Sequence, residues 1–312
     1  MKNKLYIFLL LLFLLSIIFF PAIAFEGSVE GLLLWFHTVL PTLLPFVIIT
    51  GILLKLDIIY TLTRFIHPVL KRLLHLSPMG CYGLICGILC GYPMGAKTAS
   101  QLIKAGKISK KEGQFLLGVS NNISPAFFLN YVASQTLHIS FNPLFLLAFL
   151  YLIIFIYAFI TRPEYDEVTI PQCSDSHIKL TFQMLDESIM DGFETITRLG
   201  GYIILFAIIA KMATALFPAV TILSPFTIGI IEITNGCKQF QQFTLPLNIS
   251  MPLIFFLCSF GGICGIAQTQ SMIQGTALSI RKYIFTKIVI SIFAMLSAYI
   301  VCTLYSKSLS LI

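Results

Sequence analysis

The chain has 312 residues, of which 57% are hydrophobic and 11% charged, with a mean hydropathy of +0.93. A soluble globular chain carries about 25% charged residues, so this composition excludes a disordered chain, a collagen-like chain and a soluble enzyme with a polar skin. The 20 Lys+Arg against 13 Asp+Glu give +7, and no base-stacking aromatics interleave the cations, so the charge reads as positive-inside loop charge and no nucleic-acid partner is expected.

The expected fold is an all-α polytopic membrane protein whose first partner is the lipid bilayer. Residues 1–25 form an N-terminal unit. Lys2 and Lys4 precede an apolar run from Leu5 to Phe20. Ala22-Ile23-Ala24 resembles a small-x-small cleavage site. An uncleaved helix and a signal peptide both put the lysines in the cytoplasm and Glu26 and Glu30 outside.

Gly31 to Leu54 is the next span, with Pro41 and Pro45 predicting a kink. Residues 58–76 read as a basic amphipathic helix for the membrane surface, with Leu70 and Leu74 opposite Lys71 and Arg72. Met79 to Gly91 is too short for an easy span. Lysines and arginines flank it on both sides, which predicts a re-entrant hairpin. Gly113 to Leu137 is broken by Ser120-Asn121-Asn122-Ile123-Ser124-Pro125, and Leu144 to Ile160 spans again.

Polar residues 162–177 read as the cytoplasmic joint between halves. Beyond them lie an acidic amphipathic helix over 178–196, a span over 200–217, and a short apolar piece over 225–236. A second Gly- and Pro-punctuated run covers 245–264, and Tyr283 to Leu304 reads as a clean last span.

Residues 91–111 align without gaps on 261–281, with Gly91/Gly261, Gly95/Gly265, Ile103/Ile273 and Ser109/Ser279 identical. The expected organisation is two inverted repeats with broken helices and re-entrant hairpins, over 26–161 and 183–312, joined by a cytoplasmic linker at 162–182. Charge supports the inversion: nine Lys/Arg lie between 55 and 111, but four between 211 and 282. Inverted repeats with paired broken helices are a mark of secondary transporters, with the substrate at the midplane.

Four groups of residues carry candidate chemistry. Gly91-Tyr92-Pro93-Met94-Gly95-Ala96-Lys97-Thr98 lacks the Gly-Lys step of a P-loop. It reads as a hairpin tip opening a helix at Thr98, with Tyr92, Lys97 and Thr98 toward a solute; the bland alternative is a cytoplasmic turn. Asn121, Asn122 and Ser124 offer amides and a hydroxyl beside a break; the alternative is polar glue between helices. Glu232 is an intramembrane carboxylate that carries a coupling proton or holds Na⁺ with Thr234 and Asn235; the alternative is an interfacial helix end. Gln268, Thr269 and Gln270 form the second tip. Cys81, Cys86 and Cys90 read as small apolar packing before a soft-metal site. The eight cysteines include no C-x-x-C pair, so no disulfide framework is read. No nucleophile–base pattern stands out, so neither an enzyme nor a resident cofactor is expected.

Gly-Tyr-Pro-Met-Gly-Ala-Lys (91–97), Asn121-Asn122-x-x-Pro125, Glu232-Ile233-Thr234-x-Gly236 and the Pro41/Pro45 helix resemble the sporulation integral membrane protein YlbJ group of the nucleoside-recognition, or Gate, domain superfamily. The resemblance covers roughly residues 26–305 and implies a fold related to concentrative nucleoside transporters. It implies a role in moving dipicolinic acid from the mother cell across the outer forespore membrane. The expected function is secondary transport of a small anionic or nucleoside-like solute, in a multi-pass cell-membrane protein able to form a homo-oligomer. The rivals are a non-transporting scaffold for spore cortex assembly and metal permeation of the FeoB Gate type.

Overall fold

The computed structural model describes residues 2–56, 63–137, 142–162, 180–216, 223–240 and 245–309. Every element among them is helical. Five helices are long and apolar enough to cross a membrane, or six if one sharply bent pair is a span.

α1 (Lys2–Phe19) and α2 (Pro21–Leu34) follow each other, and a π-helical turn, Trp35–Val39, joins α2 to α3 (Leu40–Lys55). The π turn lies just before Pro41, whose ring cannot extend a regular ladder; a wider turn takes up the misfit. Together Pro21–Lys55 makes one long apolar span, in which the π-helical turn lies just before Pro41.

α4 (His67–Leu74) is the described part of the amphipathic helix. Leu70 and Leu74 face inward, while Val69 and Leu73 stay exposed beside Lys71 and Arg72. That mixture suits the headgroup boundary. A bend of 92° leads into α5 (Pro78–Cys90). The chain reverses at 91–93 into α6 (Met94–Lys104), and Gly83 of α5 lies against the Leu102 side chain of α6. This is the folded-back hairpin expected from the flanking charge. Its second helix opens at Met94, not at Thr98, because Pro93 already supplies the N-terminal stop.

α7 (Lys110–Val119) starts with Ser109 capping the Glu112 N–H at 3.1 Å. Glu112 reaches across to the Ser77 N–H at 2.8 Å, so one carboxylate ties the starts of α5 and α7 together. The polar break follows, and α8 (Pro125–Phe127) restarts the helix and widens into a π segment, Phe128–Leu137. α9 (Pro143–Thr161) crosses next. Residues 163–179, most of the expected linker, lie outside the described residues.

Three expectations about the second half are corrected. The acidic amphipathic segment and the following span are one helix, α10 (Phe182–Leu216). No break separates them because the acids find cations: Glu187 pairs with Lys55 at 2.7 Å and Asp191 with Lys97 at 2.7 Å. The folded-back element lies at α11 (Leu223–Ile231) and α12 (Ile233–Phe240), with Glu232 alone at the turn. Two glycines permit this close reversal, since a Cβ on Gly236 would sit 2.2 Å from the Gly229 Cα. By contrast α13 (Leu247–Phe260) and α14 (Gly262–Met272) together make one apolar length able to cross, interrupted only at Gly261. Gly261 and Gly262, both at positive φ, interrupt the helix but do not return the chain. Finally, α15 (Ile280–Leu309) is not clean, because it buries Lys287 completely.

α2 and α3 run antiparallel along α10. Gly27 meets Ile208, Gly31 meets Ile204, the Trp35 Nε1 donates to the Ile196 carbonyl at 2.8 Å, and Lys55 meets Glu187. The largest core joins both halves: Phe128 and Val132 pack with Leu150, Phe255, Cys258 and Ile290. A second core, with Leu74, Met79, Leu102 and Leu116, lies within the first half.

Candidate functional site

Four interruptions converge: the π turn before α3, the α5–α6 reversal, the α7–α8 break and the α11–α12 turn. A cavity of about 250 Å³ opens between them. Polar groups reach it from each: Thr38 and Thr42, Tyr92, Ser124 with Asn130, and Glu232 with Thr234. Gln268 of α14 joins them, and Leu199 and Ile203 of α10 form an apolar wall. Interrupted helices at membrane depth persist where they line a cavity or are buried in protein.

Glu232 is the one charged side chain among the lining residues. Its Oε1 accepts from the Thr234 N–H at 3.1 Å, and its Oε2 accepts from the Asn235 N–H at 2.8 Å and the Asn235 Nδ2 at 2.9 Å. The carboxylate therefore sits at the start of α12, where backbone donors lack helical partners. Thr234 contributes its carbonyl to the Tyr131 hydroxyl at 3.1 Å, which links the second-half turn to the first-half break.

Ser124 lines the cavity and caps α8, accepting from the Phe127 N–H at 3.2 Å. The Tyr92 ring stands over Gly261, and its N–H donates to the Asn122 carbonyl at 2.6 Å. Gln268 points its Nε2 to the Cys264 sulfur at 3.2 Å. Thus Tyr92, Ser124, Glu232, Thr234 and Gln268 share one cavity.

The other singled-out residues sit elsewhere. Asn121 and Asn122 are fully buried and turned into the protein. The Asn121 Oδ1 accepts from the Ala96 N–H at 3.2 Å, and its Nδ2 donates to the Thr269 hydroxyl at 2.9 Å and the Tyr283 hydroxyl at 3.0 Å. The Asn122 Nδ2 donates to the Val119 carbonyl at 2.6 Å. Thr98 and Thr269 are buried, Gln270 is exposed, and Asn235 serves Glu232.

Lys97 faces away from this cavity. Its Nζ donates to Asp191 at 2.7 Å and to the Thr195 hydroxyl at 2.5 Å, and it lines a second cavity of about 350 Å³. Burial pushes its ammonium below the ordinary lysine range, and the Asp191 carboxylate opposes that shift.

Sequence reasoning missed Lys287. Its Nζ donates to the Asn122 Oδ1 at 2.6 Å and to the Asn121 carbonyl at 3.1 Å. Among the described residues no carboxylate pairs with it. The available signal was a lysine four positions into a run read as clean. Thr38 and Thr42, one turn apart around Pro41, were likewise legible and unused. Among the described residues no group of three or more His, Cys, Asp or Glu side chains is placed to hold a metal ion.

These features define a multi-pass helical membrane protein with a central cavity at interrupted helices. The chain is 24% identical over 316 residues to the sporulation integral membrane protein YlbJ of Bacillus subtilis (strain 168), covering 89% of this chain and 78% of that protein. That similarity supports the YlbJ group. No family model and no solved structure matches the chain.

Proposed function

We propose that the chain is a secondary transporter whose solute binds in the 250 Å³ cavity. The observation that carries this reading is the convergence of interrupted helices from both halves on one polar-lined cavity, the arrangement secondary transporters use at the midplane. The proposed organisation is two inverted Gate-like repeats related to concentrative nucleoside transporters. In support, Ser109 and Ser279 stand at equivalent places before α7 and α15, each accepting a backbone N–H three residues on.

A nucleoside-like solute suits the lining best. Hydroxyls and amides surround it, Tyr92, Phe127 and Tyr131 offer ring faces, and no cation lines the cavity. Dipicolinate export from the mother cell, across the outer forespore membrane, is the second reading. It draws on the sporulation relative and on Lys97, Lys104 and Arg198 in the second cavity. Glu232 is the proposed coupling group, carrying H⁺ or holding Na⁺ with Thr234 and Asn235.

Uptake by the reconstituted full chain tests this, with labelled uridine, adenosine and dipicolinate under Na⁺ and H⁺ gradients. Concentrative uptake of one solute under one gradient is the expected result. Glu232→Gln should then lower gradient-driven uptake by about tenfold or more, a barrier change of about 1.4 kcal/mol. Wild-type-like uptake in Glu232→Gln removes the coupling role. No uptake of any of the three under any gradient favours the scaffold reading.

A further inference from the structure

The second cavity is not a separate surface feature. Three elements that line the first also line the second, further along the same helices. On α10, Leu199 and Ile203 face the first cavity, and Thr195 and Asp191, one and two turns back from Leu199, face the second. Along the hairpin, Tyr92 and Pro93 face the first, and Lys97, Gln101 and Lys104 the second. On α14, Gln268 faces the first, and Ser271 and Met272 the second.

Between them lies an apolar cluster of Val47, Cys90, Met94, Ile196 and Leu199, packed against Met272. Cys90 and Leu199 also line the first cavity, and Met272 lines the second. The cluster therefore has one face on each side. On the second side, Lys97 bridges α6 to α10 through Asp191 and Thr195 and holds the two helices together below the cluster.

We propose that the two cavities are the ends of one permeation path through the protein. The path is closed in this conformation by the Met94–Leu199 plug and latched by Lys97 on Asp191 and Thr195. The first cavity lies on the Glu30 side of the plug and the second on the Lys55 side, as the order along α2, α3 and α10 requires. The second cavity bears Lys97, Lys104 and Arg198 against Asp191 and Glu194. That balance admits neutral or anionic solutes and repels free cations. An apolar constriction between two polar-lined cavities is a barrier that packing maintains, because each side chain removed leaves room for water.

The proposal rests on the transport reading, but its test needs no knowledge of the solute. Proteoliposomes of the full chain are challenged with sorbitol, and permeation is followed by light scattering. Met94→Ala/Leu199→Ala is expected to speed sorbitol entry by about tenfold or more over wild type. Met190→Ala, on the exposed face of α10, should leave entry unchanged. Asp191→Asn releases the latch without emptying the plug, so it serves if the double variant does not fold. It should speed modification of Cys90 by an impermeant methanethiosulfonate added from the Lys55 side. A folded double variant that stays tight to sorbitol overturns the path, as does Asp191→Asn with unchanged Cys90 modification. A leaking plug variant alongside a wild type that carries none of the labelled solutes leaves the path standing and removes the substrate assignment.

Discussion

Gly31→Leu is expected to strip the protein of its first helix pairing and to lower its thermal midpoint in detergent by roughly 5–10 °C, from an overpacking cost of about 1–3 kcal/mol. A Cβ at Gly31 would lie 2.8 Å from the Ile204 Cα and 2.9 Å from the Ala207 Cβ. The first of these is main chain and cannot swing aside. Gly27 makes the same approach one turn away, 2.9 Å from the Ile208 Cα. The small-xxx-small stripe therefore sets the α2–α10 distance. Separation would also stretch two contacts flanking the stripe: Trp35 Nε1 to the Ile196 carbonyl at 2.8 Å, and Lys211 to Glu30 at 2.9 Å. Lipid offers no hydrophobic force to close the gap again. Gly201, on the same helix α10, has nothing within 4 Å of its would-be Cβ, so Gly201→Leu should leave the midpoint near wild type. The chain's single tryptophan is Trp35, and its fluorescence reports on this contact during the melt. Equal losses in the two variants would show that added bulk on either helix is what costs and that the α2–α10 contact is not.

The break at 120–125 and the irregular turn before Pro41 are legible because each combines polar or proline residues within an apolar run, a local signal with a local cause. The reversal at 91–93 was legible from charge, since lysines on both flanks demand a return to the same side. Analogy with the first reversal predicts a second at 261–270. That analogy failed because a glycine permits a turn without forcing one. What fixes the turn at Glu232 is its carboxylate, which takes up the α12 donors, while Gly229 and Gly236, seven residues apart and with no periodic signature, permit the close approach. The site was half legible for a related reason. Sequence marks which polar residues lie in apolar runs, not which way they point. Ser124 and Glu232 turn into the cavity, while Asn121 and Asn122, a few residues along the same break, turn to other helices. Lys97 looked like a solute contact because its partner Asp191 is 94 positions away.

Lys287→Ala is expected to destabilise the chain more than Lys287→Met does, and the order of the two separates the forces at that residue. Alanine leaves a void in a fully buried position, which costs about 2–5 kcal/mol for a long side chain. It also leaves the Asn122 Oδ1 and the Asn121 carbonyl without their donor, at about 1–3 kcal/mol for a buried unsatisfied group. Methionine loses the same donor but keeps most of the volume. It also removes a desolvated ammonium that no carboxylate among the described residues balances, a term that favours the variant. Lys287→Met should therefore cost less than half of what Lys287→Ala costs, read as thermal midpoints in detergent. Its effect on transport runs the other way. Asn121 and Asn122 carry the break, and the Asn122 carbonyl holds Tyr92 at the cavity. Without the ammonium the Asn121 carbonyl and the Asn122 Oδ1 lose the donor that ties the break to α15, although the other bonds of both amides remain. The methionine variant should thus stay folded while solute uptake falls by about tenfold. A variant that is both stable and active would reduce Lys287 to a packing residue.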